Sequence, residues 1–193
     1  IPLTDVNNDA MIRNFKQEGK EVFLSDIDFD SEGNPVILAI ISKSRVPGPD
    51  SGMRDWFVIS RKGGEWNFNR VCGSTHNFDR GSLYIKGSEW KIIGPTEPGP
   101  QRYGTGGEVA LWISRKGGAD WQKVTNVTIN SINNNSFVRH PVNAQKDFFA
   151  LWTDGNANEL SKSYLYFTNE KCDKVWMLPY EMKENFRKPV RIR

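Results

Sequence analysis

A tryptophan-ended turn recurs three times in this chain at an almost constant spacing. Ile59-Ser60-Arg61-Lys62-Gly63-Gly64-Glu65-Trp66 returns as Ile113-Ser114-Arg115-Lys116-Gly117-Gly118-Ala119-Asp120-Trp121, and a looser copy runs from Phe167 and Thr168 to Trp176. The leading positions 59, 113 and 167 stand 54 residues apart, and the closing tryptophans 66, 121 and 176 stand 55 apart. A fixed period of this length marks a series of like supersecondary units, because one such unit cannot bury its apolar face alone.

Each copy has the same local grammar. An alternating strand (Asp55 to Ser60, Val109 to Ser114, Tyr164 to Thr168) runs into a tight polar turn, and Trp opens the next strand. The Gly pair of the first two copies supplies the positive φ that a two-residue hairpin requires. Two further strands are predicted ahead of each copy: Val22 to Phe29 with Pro35 to Ser42, Gly81 to Ile85 with Trp90 to Gly94, and Ser136 to Val142 with Asp147 to Thr153. Four short antiparallel strands per period match a β-propeller blade better than a solenoid coil, whose repeats are shorter. A two-sheet sandwich has no reason to repeat a turn at fixed period. The expected fold is therefore all-β, a propeller over residues 1–182 followed by a basic tail, 183–193. At this period the chain holds about three and a half blades, fewer than a closed ring needs. The missing blades are expected from an N-terminal part of the same protein or from another chain. Only Asp9 to Gly19 has an amphipathic helical reading.

The turns resemble a degenerate Asp box, the signature of bacterial neuraminidase repeat proteins with sialidase-like propellers. Ser114 to Trp121 has the family spacing, Ser60 to Trp66 is one residue shorter, and Lys62 and Lys116 stand where the Asp belongs. A second resemblance covers roughly residues 70 to 180, through His76-Asn77-Phe78-Asp79-Arg80-Gly81, Gly94-Pro95-Thr96-Glu97-Pro98-Gly99, Arg139-His140-Pro141-Val142 and Trp152-Thr153-Asp154-Gly155. These stretches are similar to secreted bacterial proteins of that repeat family, which are related to propeller polysaccharide lyases and glycosidases acting on uronic-acid glycans. The resemblance implies an acidic glycan as partner and a secreted or periplasmic location.

Composition narrows the function classes. The formal net charge of +3 is concentrated in the tail, where Lys183 to Arg193 holds five basic residues and one Glu. A nucleic-acid-binding body is excluded on that balance, and the tail reads as a solvated terminus. Two cysteines and two histidines are too few for a disulfide scaffold or a Cys/His metal centre, so no cofactor or metal is expected, a structural cation aside. Cys72 reads as a buried thiol. No apolar run is long enough for a membrane-spanning helix. The chain opens at Ile1, which suggests a processed or truncated start.

Propeller geometry sends the turns inside strand pairs to one face and the longer connections to the other, where ligands usually bind. The second face receives 43–54, 71–80, 96–108, 129–135 and 154–162. Removing the proton α to a uronate carboxyl needs a base and a cation that stabilises the enolate-like charge. His76 and Tyr103 are the candidate proton-transfer groups, with Arg139 as the candidate catalytic cation. Arg80, Arg102, Arg54, Asp79, Glu108 and His140 are candidate substrate contacts, the arginines through bidentate carboxylate pairing. Each also has a structural reading: His76 as a turn histidine, Tyr103 as a loop lid, and one of Arg139 and His140 at a blade interface. Two functions stay open, a glycoside hydrolase or polysaccharide lyase acting on acidic (uronate- or sialate-containing) glycans and a non-catalytic glycan-binding or scaffold module. In the second, Trp90 or Trp152 would stack on sugar rings.

Overall fold

A computed structural model describes residues 4–5, 8, 10–46, 48–76 and 80–193. Three antiparallel sheets follow one another along the chain. The first contains β1 (Glu21–Phe29), β2 (Pro35–Ser42), β3 (Arg54–Lys62) and β4 (Glu65–Ser74). The second contains β5 (Ser82–Lys86), β6 (Glu89–Glu97), β7 (Glu108–Ser114) and β8 (Gln122–Asn126). The third contains β9 (Asn134–Arg139), β10 (Ala150–Gly155), β11 (Leu165–Thr168) and β12 (Val175–Met177), with β13 (Val190–Arg191) added on its outer edge. Consecutive strands are neighbours throughout, so every sheet is a plain meander. No α-helix occurs among the described residues.

The three repeated turns each join the third and fourth strands of their own sheet, as the period requires. Their chemistry differs. In the first, Gly63 (φ 61°) and Gly64 (φ 88°) make a two-residue turn closed by the Lys62–Glu65 pair. In the second, Asp120 supplies the carboxylate that Lys116 cannot. It accepts from the Ser114 hydroxyl at 2.7 Å and from the Arg115 and Lys116 amides at 3.1 and 3.0 Å. Gly118 lies so close to the Trp90 ring that an added Cβ would sit 2.5 Å from it, and its φ is 82°. In the third, side chains replace glycine: Thr168 Oγ1 donates to the Lys174 carbonyl at 2.8 Å, and the Lys174 amide donates to Asn169 Oδ1 at 3.1 Å.

The sheets stack face to face, and the core is what lies between them. Val36, Leu38, Trp56, Val58, Leu83 and Ile92 fill the space between the first and second sheets. Ile93, Val109, Leu111, Val138, Trp152 and Val175 fill that between the second and third. Backbone links fix the stacking at the first strands. The Ser25 hydroxyl donates to the Gly81 carbonyl at 3.0 Å and accepts from the Gly81 amide at 2.9 Å. The Ser82 hydroxyl donates to the Val138 carbonyl at 3.0 Å, and the Val138 amide to the Arg80 carbonyl at 3.0 Å. Tyr84 reaches across to the Phe149 carbonyl. This is the propeller-like arrangement expected from the repeat.

Two expectations fail, and the tail has a feature that the sequence reading did not give it. The 9–19 segment forms turns instead of a helix (Asp9 itself is outside the described residues). The Asn8 and Asn14 side chains accept from the Ala10 and Gln17 amides and so compete with helical bonding, while Phe15 packs edge-on against Phe68 of β4. The basic tail is exposed, as expected, and its end is also paired: Val190 and Arg191 pair with Met177 and Trp176, and Arg193 Nη1 donates to the Val127 carbonyl at 3.0 Å. It therefore ties the outer edge of the third sheet to the end of the second. Trp90 and Trp152 are 5% and 1% exposed, so neither can stack on a sugar. Trp152 instead donates its indole N–H to Asn135 Oδ1.

The outward side of the first sheet is different. Leu24, Ile27 and Phe29 of β1 are 67%, 58% and 58% exposed there. The interior faces of the stack, by contrast, are closed.

Candidate functional site

Short hairpins gather at one end of the sheets and long connections at the other, so the second end offers the room for a ligand. The connection between β6 and β7 is the most thoroughly built. Asn134, at the start of β9, is 1% exposed and acts as its hub. Its Oδ1 accepts from the Gln101 amide at 3.0 Å, and its Nδ2 donates to the Gln101 and Thr105 carbonyls at 2.8 and 2.9 Å. Gln101 Oε1 in turn accepts from the Asn134 amide at 2.8 Å. So held, the loop presents Tyr103 in a left-handed conformation (φ 64°), an uncommon state for a bulky residue. The Arg102 guanidinium lies 4.7 Å from the Tyr103 ring centroid. A phenol hydroxyl and a cation thus stand together on an exposed loop.

His76 and Arg54 lie together but deep, at 2% and 1% exposure. Arg54 donates to the Gly52 and Val46 carbonyls at 3.0 and 2.9 Å, which shapes the connection between β2 and β3. Burial and the nearby Arg54 charge push the His76 imidazole down to about 4, with the Pro95 carbonyl opposing the fall. The ring is therefore neutral at physiological pH. Arg80 is exposed just ahead of β5, and its carbonyl takes the Val138 amide. That bond sets Arg80 beside the strand carrying Arg139, which is half-buried opposite Leu151. Asp79 lies outside the described residues.

The Glu108 carboxylate is engaged within the protein, and the His140 ring lies elsewhere than the Tyr103 loop. Glu108 is 8% exposed, and its carboxylate accepts from Thr128 Oγ1, from the Ser131 amide at 2.7 Å and from Ser131 Oγ at 2.8 Å. It pins the connection from the second sheet to the third. His140 lies toward the hairpin end, its ring 4.2 Å from that of Tyr84. It lines a cavity of about 330 Å³ with Lys86, Glu89 and Asn143, apart from the long connections.

A larger cavity, about 710 Å³, opens among the long connections between the second and third sheets. Residues 127–133 form one wall, Asp154, Tyr164, Tyr166 and Met177 the floor, and Ile192 and Arg193 the outer edge. None of its lining residues is among the candidate site residues read from the sequence, although 129–135 and 154–162 were placed on this face. The Tyr-x-Tyr alternation at 164 and 166, facing the same way as Asp154, was the available signal. No group of three or more His, Cys, Asp or Glu side chains among the described residues could hold a metal ion. No helix of the described residues is long and apolar enough to cross a membrane.

No protein-family model and no curated protein matches the sequence. Two solved structures share the fold. One is an ulvan lyase of polysaccharide lyase family PL25 bound to -[GlcA(1-4)Rha3S]-, with a TM-score of 0.59 and 16% identity over 79% of this chain. The other is a second structure of PL25 ulvan lyase, with a TM-score of 0.57 and 17% identity over 79% of this chain. In both cases the match covers 33% of the lyase, so this chain spans about a third of its neighbours' length. At these identities the likeness speaks for the fold.

Proposed function

We propose that this chain is part of a carbohydrate-active propeller that degrades acidic, uronate-containing glycans by β-elimination. The observation that carries the reading is the Val138–Arg80 backbone bond at 3.0 Å, which sets Arg80, just ahead of β5, against the end of β9, where Arg139 follows Val138. On this reading Arg80 or Arg139 pairs with a uronate carboxylate and stabilises the charge that develops as the α-proton leaves. Tyr103 is the proton-transfer group, since it is partly exposed and stands beside Arg102, whereas His76 is covered. Likeness to lyases whose described ligand contains glucuronate supports the same substrate class. A secreted setting follows from a polymeric substrate.

The outward face of the first sheet, with Leu24, Ile27 and Phe29 uncovered, is read as a blade interface. Further four-stranded sheets, from the same protein or from another chain, would cover it and complete the ring, in keeping with the one-third span of the neighbouring lyases. The Asp-box kinship of the turns belongs to this reading as well.

The test is turnover on a panel of uronate polysaccharides, followed by the ultraviolet absorbance of unsaturated uronyl ends. The wild-type chain is expected to generate them, Tyr103→Phe to abolish them while retaining glycan binding, and Arg139→Ala to weaken both. Glycan binding without product on any substrate would favour the binding-module reading. That alternative draws on the buried state of His76 and the internal engagement of Glu108.

A further inference from the structure

We infer that the cavity between the second and third sheets is a second saccharide-binding subsite, which takes a pyranose ring bearing an acidic substituent at a distance from Tyr103. The inference rests on the glycan class proposed above, but on different residues. Its volume of about 710 Å³ falls within the usual range for ligand sites, about 300–1,000 Å³.

The lining suits one kind of ligand. A pyranose has apolar C–H faces and a girdle of hydroxyls. Tyr164, Tyr166 and Met177 supply apolar and aromatic surface, and the amide of Asn133 and the carboxylate of Asp154 supply partners for hydroxyls. Asp154 is fixed in place by the Tyr164 amide at 2.6 Å and the Tyr166 hydroxyl at 3.0 Å. Burial and that carboxylate raise the Tyr166 pKa, so the phenol stays protonated and keeps donating. Arg193 stands at the outer edge as the cation for an acidic substituent, anchored through Nη1 to the Asn126 and Val127 carbonyls.

The wall is rigid before any ligand arrives. Glu108 holds Thr128 and Ser131, and Asn135 Nδ2 donates to Ser131 Oγ at 2.9 Å. The same wall touches the Tyr103 loop, because Gln101 Nε2 donates to the Ile132 carbonyl at 3.3 Å. A glycan lying over that contact would run from the Tyr103 loop into the cavity, so affinity should grow with chain length.

The experiment titrates the chain with glucuronate-containing di-, tetra- and hexasaccharides by calorimetry and by amide NMR. Tetra- and hexasaccharides are expected to bind more tightly than the disaccharide and to shift the signals of 129–133 and 164–166. Tyr164→Ala should remove about tenfold of that gain and leave disaccharide affinity unchanged. Asn133→Ala, which removes only an amide, should show a smaller loss in the same direction. No length dependence, or shifts confined to residues around Tyr103, would overturn the subsite and leave the proposed activity standing. Shifts in the cavity with no unsaturated product on any substrate would keep the subsite and overturn the activity. Tighter binding of neutral oligosaccharides of equal length would remove the role given to Arg193 and overturn the acidic specificity.

Discussion

Replacing Glu108 by Gln should destabilise the protein although it changes a single oxygen to an NH₂. The carboxylate accepts three hydrogen bonds, from Thr128 Oγ1, the Ser131 amide and Ser131 Oγ. The Thr128 hydroxyl has no freedom to reverse, and the Ser131 amide holds the oxygen of a Gln at the other position. Thr128 Oγ1 already accepts from the Val109 amide at 2.8 Å and from Asn135 Nδ2 at 3.3 Å, and Ser131 Oγ already accepts from Asn135 Nδ2 at 2.9 Å. An amide NH₂ at position 108 therefore meets an oxygen with both lone pairs engaged. Hydrogen bonds to a charged group are each worth about 1.5–3 kcal/mol and a buried unsatisfied donor costs about 1–3 kcal/mol, so a net loss of about 3 kcal/mol is expected. For a domain of this size that corresponds to a fall of about 6–12 °C in melting temperature. Thermal unfolding monitored by tryptophan fluorescence measures it. A melting temperature within about 1 °C of wild type would refute the reasoning, and a stable variant with weakened glycan binding would return Glu108 to the substrate contacts expected from sequence.

Burial holds the folded-state pKa of His76 near 4, below the ordinary 6.5, so the unfolded chain binds the extra proton in between. Stability should rise with pH through that window and be complete above it, by at most about 3 kcal/mol, and His76→Gln should flatten the rise in urea unfolding at pH 4.5 and 7.5. Gly118→Ala should cost about 2 kcal/mol more than Gly117→Ala, since its Cβ would meet Trp90 at 2.5 Å against 3.9 Å for Gly117. Urea midpoints decide it. Burial pushes both the Cys72 and Cys172 thiols up to about 12, so a thiol-specific reagent should label neither until the chain unfolds. Deleting residues 190–193 should accelerate amide exchange at Val175 and Ile192's neighbours on β12, where the tail now pairs, with little change in global stability.

The repeat made the strands legible because its period forces equivalent positions onto equivalent structure. Asp55 to Ser60 and Val109 to Ser114 needed only alternation and a glycine turn to be placed. What alternation cannot reveal is which face of a sheet meets a neighbour. Trp90 and Trp152 read as sugar platforms in sequence, yet each lies on a face covered by the next sheet. Irregularities add to the difficulty: β1 has a register shift between Leu24 and Asp26, which sends both Ser25 and Asp26 to the second sheet and leaves Leu24 and Ile27 outward. The candidate site was legible as a set of loops and only in part as a set of residues. Arg80 meets Val138, the neighbour of Arg139, through a backbone bond between positions 58 residues apart, and the engagement of Glu108 depends on hydroxyls 20 and 23 residues further along. Local pattern carries no information about either.

The most direct measurement is a crystal structure of the protein with a glucuronate tetrasaccharide bound. The account predicts sugar across the Tyr103 loop, a uronate carboxylate at Arg80 or Arg139, and a further ring in the cavity floored by Tyr164 and Tyr166. Sugar seated at the hairpin end, against His140 and Tyr84, would contradict it.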